Sequence, residues 1–459
     1  MTKEQREKYE REVFAAATPE QRAQMLKDKE AREAAVGAAE REKRELEEIQ
    51  KDIKAHSRTF NDLPEYLPED KNPNALFLGE QLERGCADLM IGTTGVGKSI
   101  HATQLCFAAA GGVPFAGERP KFPMKVMYIE SEDSPNRVAK DRTGTLEELM
   151  ETYPDVNWRE AGARVHMLDT PGKTGLNFLD WVEDYLKKFD RIGEHIDFLV
   201  INPLLAYIGG PITDGSYVTP FLRGGEMPNF RTSEGENKGF QCILEERAVG
   251  ARLYHHTPKP PSEKEIPQWL KSAFPEYQGA GSADLVNWVR GAKTLMKLPT
   301  HNGFAQITAG KNGSGLGWER IGGAMRYFMT WSGKPCRIGG LRNAWRDLTT
   351  DEYAAIVLPL KSAAEKDEAE KKVADIAPYA VKVLDNARST FLADGRDFQG
   401  LTQDAMANAI RNAIIADGKQ SFEVRTLKKM LDDLPPDVVI HKGRKPLWYG
   451  TKKDLSWHK

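Results

Sequence analysis

The sequence predicts an α/β fold: a mainly parallel sheet covered by helices, with a charged helical arm before it and a small domain of helices and a hairpin after it. Three observations carry this. Between residues 58 and 350, short apolar runs alternate with segments of helical period, and Gly and Pro punctuate them. That is the pattern of strands buried on both faces. Residues 1–57 are instead dense in charge, with 13 Lys/Arg and 14 Asp/Glu. Residues 375–459 give two or three helices, then two short apolar runs around a Lys-Gly-Arg-Lys turn.

Composition bounds the function. A chain of 459 residues has room for about three domains. Lys and Arg total 65 against 67 Asp and Glu, so no overall basic excess marks a nucleic-acid binder and any such surface must be local. Cys86, Cys106, Cys242 and Cys336 are far apart and form no CxxC pair, which indicates neither zinc nor a disulfide framework. No signal pattern opens the chain and no apolar run approaches ~18 residues. The expectation is a soluble cytoplasmic protein with no membrane partner.

The arm, 1–57, contains only Pro19 and Gly37 as breakers and is expected to be exposed helix laced with i,i+4 ion pairs. Leu46, Ile49 and Ile53 make a short seam, too brief for a coiled coil. The arm is either a solvated helix or a surface for a protein partner or a second copy.

The domain expected over 58–350 opens its chemistry with "ADLMIGTTGVGKSIHATQLCFAAAGG", residues 87–112. "ADLMIG" reads as a buried strand and "SIHATQLCFAAA" as a helix. Gly92, Thr93, Thr94, Gly95, Val96, Gly97, Lys98 and Ser99 lie between them, followed by Ile100. The spacing is that of a P-loop in its required context. Gly92, Gly95 and Gly97 let backbone N–H groups turn inward around a phosphate, and the helix N-terminus adds partial positive charge. Lys98 is placed to reach β- and γ-phosphates and Ser99 to ligate Mg²⁺, so ATP and Mg²⁺ are the expected cofactors.

The next strand, "KVMYIES", runs into Glu132 and Asp133. Loops at the carboxyl ends of such a sheet face the ligand. A carboxylate there can orient a water for attack on the γ-phosphate, which makes Glu132 the candidate catalytic acid/base. Asp133 beside it joins Ser99 as a candidate metal-side residue. Further strands are expected at "ARVHML", "IDFLVIN" and "GARLYHH", with an edge region "AKTLMKL…GFAQITAG". "KSAAEKDEAEKK", 361–372, is free of large apolar residues and reads as linker or exposed helix within a 351–374 connection. The 375–459 pattern suggests a winged helix-turn-helix.

The segments "YIESED", "FLVINPLLAYIGG", "ARLYHHTPKPP", "GAGSADLVNWVRGAKTLMKL" and "AGKNGSGLGW" stand in the order found in RecA-like ATPases of the plasmid RepA type. The chain resembles that family of ring-forming hexameric helicases, more distantly DnaB, over roughly residues 75–330. The resemblance implies a RecA-like core, ATP hydrolysis at subunit interfaces and single-stranded DNA as partner. It places Glu132 on the catalytic glutamate. It places His255 and His256 on paired histidines that sense the γ-phosphate, and Lys311 on a basic finger that reaches the neighbour's nucleotide. One position departs: the aspartate expected after "FLVI" is Asn202, which offers no anionic contact to Mg²⁺. Asp197 begins that strand and cannot simply replace it, whereas Asp214 in the loop beyond could. A slow, switch-like ATPase that binds DNA or a protein without unwinding therefore stands beside the helicase reading.

Two long loops are expected where such rings face their channel, at 209–239 and 257–282. The second sets Lys259, Lys264 and Lys271 among Trp269, Phe274 and Tyr277. That mixture suits a single strand through phosphate neutralisation and base stacking, and it equally suits a lid over ATP. The terminal hairpin adds Lys442, Arg444, Lys445, Lys452 and Lys453 beside Trp448 and Tyr449, either a basic wing on DNA or an exposed turn.

Overall fold

A computed structural model describes residues 12–56, 67–68, 70–79, 82–169, 172–228, 237–256, 283–298, 301–310, 313–394, 401–434, 440–442 and 448–450. The chain divides into two units, Met1–Pro68 and Glu69–Lys459.

The first unit is dominated by α1, Pro19–His56. Its start follows from sequence. Thr18 and Gln21 form a reciprocal box, the Thr18 N–H donating to Gln21 Oε1 at 2.9 Å and the Gln21 N–H to Thr18 Oγ1 at 3.3 Å. Pro19 takes the first helical position, where a missing N–H costs nothing. Leu26, Val36, Leu46 and Ile49 are exposed along it.

In the second unit, β1 (Ala75–Leu78), β2 (Leu82–Glu83) and β4 (Arg119–Pro120) make a small antiparallel sheet. The large sheet is built on β3 (Ala87–Gly92), β5 (Val126–Glu130), β6 (Val165–Asp169), β7 (Phe198–Asn202), β8 (Gly250–His256) and β9 (Gly291–Lys297). These six run parallel in the spatial order β9-β3-β8-β7-β5-β6. The antiparallel strands β10 (Phe304–Ala309), β11 (Glu319–Ile321), β12 (Ala324–Trp331) and β13 (Trp345–Asp347) extend it beyond β9. The fold class is thus α/β with a largely parallel central sheet, as the sequence pattern predicts.

Alternation sends successive side chains into two cores. Met90, Tyr128 and Val200 join one, with α2 (Lys98–Gly111), Leu149 of α3 (Pro135–Thr152), and Trp158 and Ala161 of α4 (Trp158–Ala163). Leu89, Ile91, Met127, Ile129 and Ile201 join the other, with α5 (Gly175–Arg191), α6 (Gly215–Arg223), α7 (Gly239–Arg247) and α8 (Ala283–Trp288). Burial on both faces is why these strands read as continuous apolar runs.

One expectation changes, and of the two readings of 361–372 the exposed helix holds. The 209–239 stretch is not simply a loop, because α6 lies inside it. Asp214 caps that helix, accepting from the Ser216 N–H at 2.9 Å, and Val218, Phe221 and Leu222 bury one face. The 361–372 stretch lies within one 44-residue helix, α9 (Thr350–Ala393), and is mostly exposed there. Ile356 and Val357 of α9 pack with Leu298, Ile321 and Phe328. Its later residues Val373, Ile376 and Leu384 pack with α10 (Gln403–Ala416) and α11 (Val424–Asp432). The short strands β14 (Leu401–Thr402), β15 (Ile440–Lys442) and β16 (Trp448–Gly450) pair antiparallel in the order β14-β16-β15. Arg444, Lys445, Lys452 and Lys453 of the terminal hairpin lie outside the described residues, as does all of 257–282. Among the described residues, no helix is long and apolar enough to cross a membrane.

Candidate functional site

The site forms at the carboxyl ends of β3, β8, β7 and β5. β3 is buried throughout and delivers Gly92 into the turn. A Cβ at Gly92 would meet the Leu295 carbonyl at 2.8 Å and Val96 at 3.0 Å, so only glycine fits between β3 and β9. Gly95 and Gly97 take φ of 73° and 97°, values costly for any side chain. Val96 and Ile100 are buried and anchor the loop, while Thr94 and Gly95 are exposed at its tip. Gly97 is the N-cap of α2 and offers no side-chain cap. The first N–H groups of this helix are therefore left for a ligand, a ready anion site.

Lys98 folds along the loop. Its amine donates to the Gly92 carbonyl at 2.7 Å and the Thr93 carbonyl at 2.9 Å, and stands 3.0 Å from His256 Nδ1. Burial pushes its pKa down to about 8, against the opposing pull of Glu132. His256 closes β8 in register with Gly92. Its Nε2 lies 3.3 Å from Glu132 Oε1. Burial, then the Lys98 cation, lower its pKa, while Glu132 opposes them. A neutral ring that accepts from Lys98 at Nδ1 carries its proton on Nε2 and donates to Glu132. Amine, imidazole and carboxylate thus stand in line. His255, one residue earlier, is buried and belongs to the opposite face of β8.

Beside this line runs a second one that sequence reading missed. Asn202 Nδ2 donates to Ser99 Oγ at 3.0 Å and also to Glu130 Oε2. Glu130 ends β5 directly opposite Asn202, and is 6% exposed. The Tyr128 hydroxyl donates to its Oε2 at 2.7 Å, and the Ser131 and Glu132 N–H groups donate to its Oε1 at 3.0 and 2.9 Å. Burial raises its pKa, and the bonds from the Glu132 N–H, Tyr128 and Asn202 oppose the rise. The signal in the sequence was an acid closing an otherwise apolar strand, "VMYIE".

The other candidate acids stand elsewhere. Asp133 lies near Asp141 and Arg137; burial first, then Asp141, raise its pKa. The structure joins Ser99 to Asn202 and, through it, to Glu130 rather than to Asp133. Asp197, at the opposite end of β7, pairs with Arg84 and accepts the Lys125 N–H. Asp214 is occupied as the cap of α6. Lys311 lies outside the described residues. A further contact unforeseen in the sequence supports the loop from behind. Trp345 Nε1 donates to the Gly97 carbonyl at 3.3 Å, its ring stacks on Trp331 with centroids 3.9 Å apart, and Gln104 bonds its backbone twice.

The donor set fits Mg²⁺ carried with nucleotide phosphates: Ser99 supplies a hydroxyl oxygen, and an amide and a carboxylate stand in sequence behind it.

Residues 62–226 match the family model described as an AAA domain. No curated protein matches the chain. Among solved structures, the chain is similar to the crystal structure of the RadB recombinase, at 12% identity and a TM-score of 0.31. That match covers 58% of this chain and 92% of that one.

Proposed function

We propose that this protein is a RecA-like ATPase motor that hydrolyses ATP with Mg²⁺, assembles as a homo-oligomeric ring and acts on single-stranded DNA as a helicase. The observation that carries the reading is the Lys98–His256–Glu132 line at the mouth of the P-loop. The AAA-domain match over 62–226 supports nucleotide chemistry in this part of the chain.

Each residue has a task that its position allows. The N–H groups of the loop and of α2 bind the phosphates, and Lys98 leaves the loop carbonyls to pair with the terminal ones. Bound Mg²⁺ would offset phosphate charge beside Ser99. Glu132 orients the attacking water and takes its proton. His256 holds Glu132 and meets Lys98, so it can report whether that lysine is engaged. Lys311 acts on the neighbouring subunit's nucleotide. The 257–282 segment, whose sequence sets Lys259, Lys264 and Lys271 among aromatics, contacts the strand. Among the described residues, 401–450 give one short strand, two helices and two paired strands, an order that suits a winged helix whose hairpin adds a second DNA contact.

A second reading, a slow ATP-dependent switch that binds DNA or a protein without unwinding, is favoured by Asn202 in place of an aspartate. ATP turnover with and without single-stranded DNA separates the two. A motor shows turnover stimulated by the strand and abolished in Lys98→Ala; a switch shows slow, unstimulated turnover. Unchanged ATP affinity and turnover in a folded Lys98→Ala protein would overturn both.

A further inference from the structure

We propose that Glu130 supplies, from β5, the negative charge behind the Mg²⁺ position that Asn202 on β7 lacks, so that one carboxylate's task is divided between an amide and an acid on adjacent strands. The inference rests on reading the P-loop as a Mg²⁺–ATP site, and three observations carry it. First, the register is direct: Glu130 and Asn202 are Cα partners at the carboxyl ends of their strands. Second, the Asn202 amide nitrogen bridges Ser99 Oγ and Glu130 Oε2, which links the hydroxyl to the carboxylate through one side chain. Third, the carboxylate is held in place. Two backbone N–H groups fix Oε1, and the Tyr128 hydroxyl and Asn202 fix Oε2, at 6% exposure.

A buried acid with four donors is expensive to place unless a charge nearby makes use of it. Asn202 alone orients Ser99 but is neutral. Glu130 alone makes no direct hydrogen bond to Ser99. Together they present an oriented hydroxyl with negative charge behind it, the outer support that tunes a metal site. Glu130 is accordingly a positioning residue: it acts on the cation through Asn202 and Ser99 and touches neither water nor phosphate.

The test is a charge transplant, read by binding rather than turnover. In a Glu132→Gln background, a fluorescent ATP analogue is titrated with Mg²⁺, and Mn²⁺ binding to the nucleotide complex is followed by electron paramagnetic resonance. Glu130→Gln is expected to raise the Mg²⁺ concentration for half-saturation roughly tenfold, the usual size of an outer-shell loss. Analogue affinity in EDTA should stay unchanged. The double variant Glu130→Gln/Asn202→Asp moves the charge to β7 and should restore most of that loss. An unchanged Mg²⁺ requirement in Glu130→Gln, or a double variant no better than Glu130→Gln, overturns the proposal. Should Glu130→Gln fail to fold, Glu130→Asp withdraws the charge by one methylene and should give a smaller shift in the same direction; no shift overturns the proposal. Failure of the wild-type protein to bind the analogue at all would instead defeat the reading of the P-loop. Binding with a Mg²⁺ dependence indifferent to Glu130 defeats this inference alone.

Discussion

Lys98 Nζ lies 3.0 Å from His256 Nδ1, across the pairing of β3 with β8, and so ties the amine of the P-loop to the strand that separates it from Asn202. The contact places a cation against a ring that must be neutral to accept from it. It also makes the ring a go-between, since the other nitrogen faces Glu132. Two consequences can be measured.

The first concerns pH. Burial lowers Lys98 from an ordinary 10.5 to about 8, with Glu132 opposing. Folded protein therefore holds fewer protons than unfolded protein between those two values. The cost of burying the charged amine is fully present below about 8, and stability contributed at this site rises as pH climbs toward 10.5. Nucleotide binding runs the other way, because phosphates need the ammonium form. Affinity should be flat below about 8 and then fall by up to about tenfold per pH unit. Fluorescent-nucleotide titrations across this range check it. An affinity flat well above the lysine's lowered pKa would mean the amine is not the phosphate partner.

The second concerns His256 itself. His256→Ala leaves Lys98 its two carbonyl anchors but deprives Glu132 of its donor. Turnover at saturating ATP should drop about tenfold, the worth of one charged hydrogen bond, with little change in ATP affinity. His256→Asn, which can both accept and donate, should recover part of the loss. Wild-type turnover in His256→Ala would remove the ring from the mechanism.

How much of this was legible follows from the distance over which each signal acts. The P-loop reads directly because Gly92, Gly97, Lys98 and Ser99 fall within one short stretch between an apolar strand and a helix, so the pattern is complete in local sequence. The parallel strands read because burial on both faces leaves them apolar from end to end. Glu130 did not read. Three acids follow "VMYI", and what singles out the first is its register with Asn202, 72 residues away in the chain. Trp345 reaches the Gly97 carbonyl across 248 residues, and nothing local announces it. Helix α6 was hidden by its own composition, because it begins with Gly215 and carries Pro220 inside, both of which read as loop.

A stability prediction comes from beneath the same sheet. Arg252 donates to Asp88 at 2.8 Å and to Glu118 at 2.7 Å, and Lys293 reaches the same two acids at 2.8 and 3.1 Å. All four are almost wholly buried, so two cations balance two anions with little water to help. Arg252→Met leaves an excess buried carboxylate and should cost about 3–5 kcal/mol in urea unfolding. Burial alone would raise the Glu118 pKa, but Arg252 and Lys293 overrule it and hold the carboxyl low. That contribution is present above the ordinary value of 4.5 and is lost as pH falls below it. Arg252→Met should therefore flatten the acid limb of the stability curve. An unchanged acid limb, or a loss under about 1 kcal/mol, would show that the pairing does not hold the core.

The ring reading is tested by mixing two inactive proteins. A lysine that acts on the neighbour's γ-phosphate contributes nothing to the site in its own subunit. Lys311→Ala should therefore bind ATP almost normally yet turn it over poorly, because the lost charge serves the transition state rather than the bound nucleotide. Glu132→Gln should bind and stall for a different reason, the lost water-orienting carboxylate. In a mixed ring, some interfaces join an intact Glu132 on one subunit to an intact Lys311 on the next, and these should recover part of the wild-type rate. The recovery should follow the mixing ratio, with its maximum near equal parts, since that composition gives the most such interfaces. A lysine acting within its own subunit predicts no recovery at any ratio, for every Lys311→Ala site is then defective whatever its neighbour. Two inactive variants that stay inactive when mixed, with subunit exchange shown independently by energy transfer between labelled copies, would therefore exclude Lys311 from action across the interface.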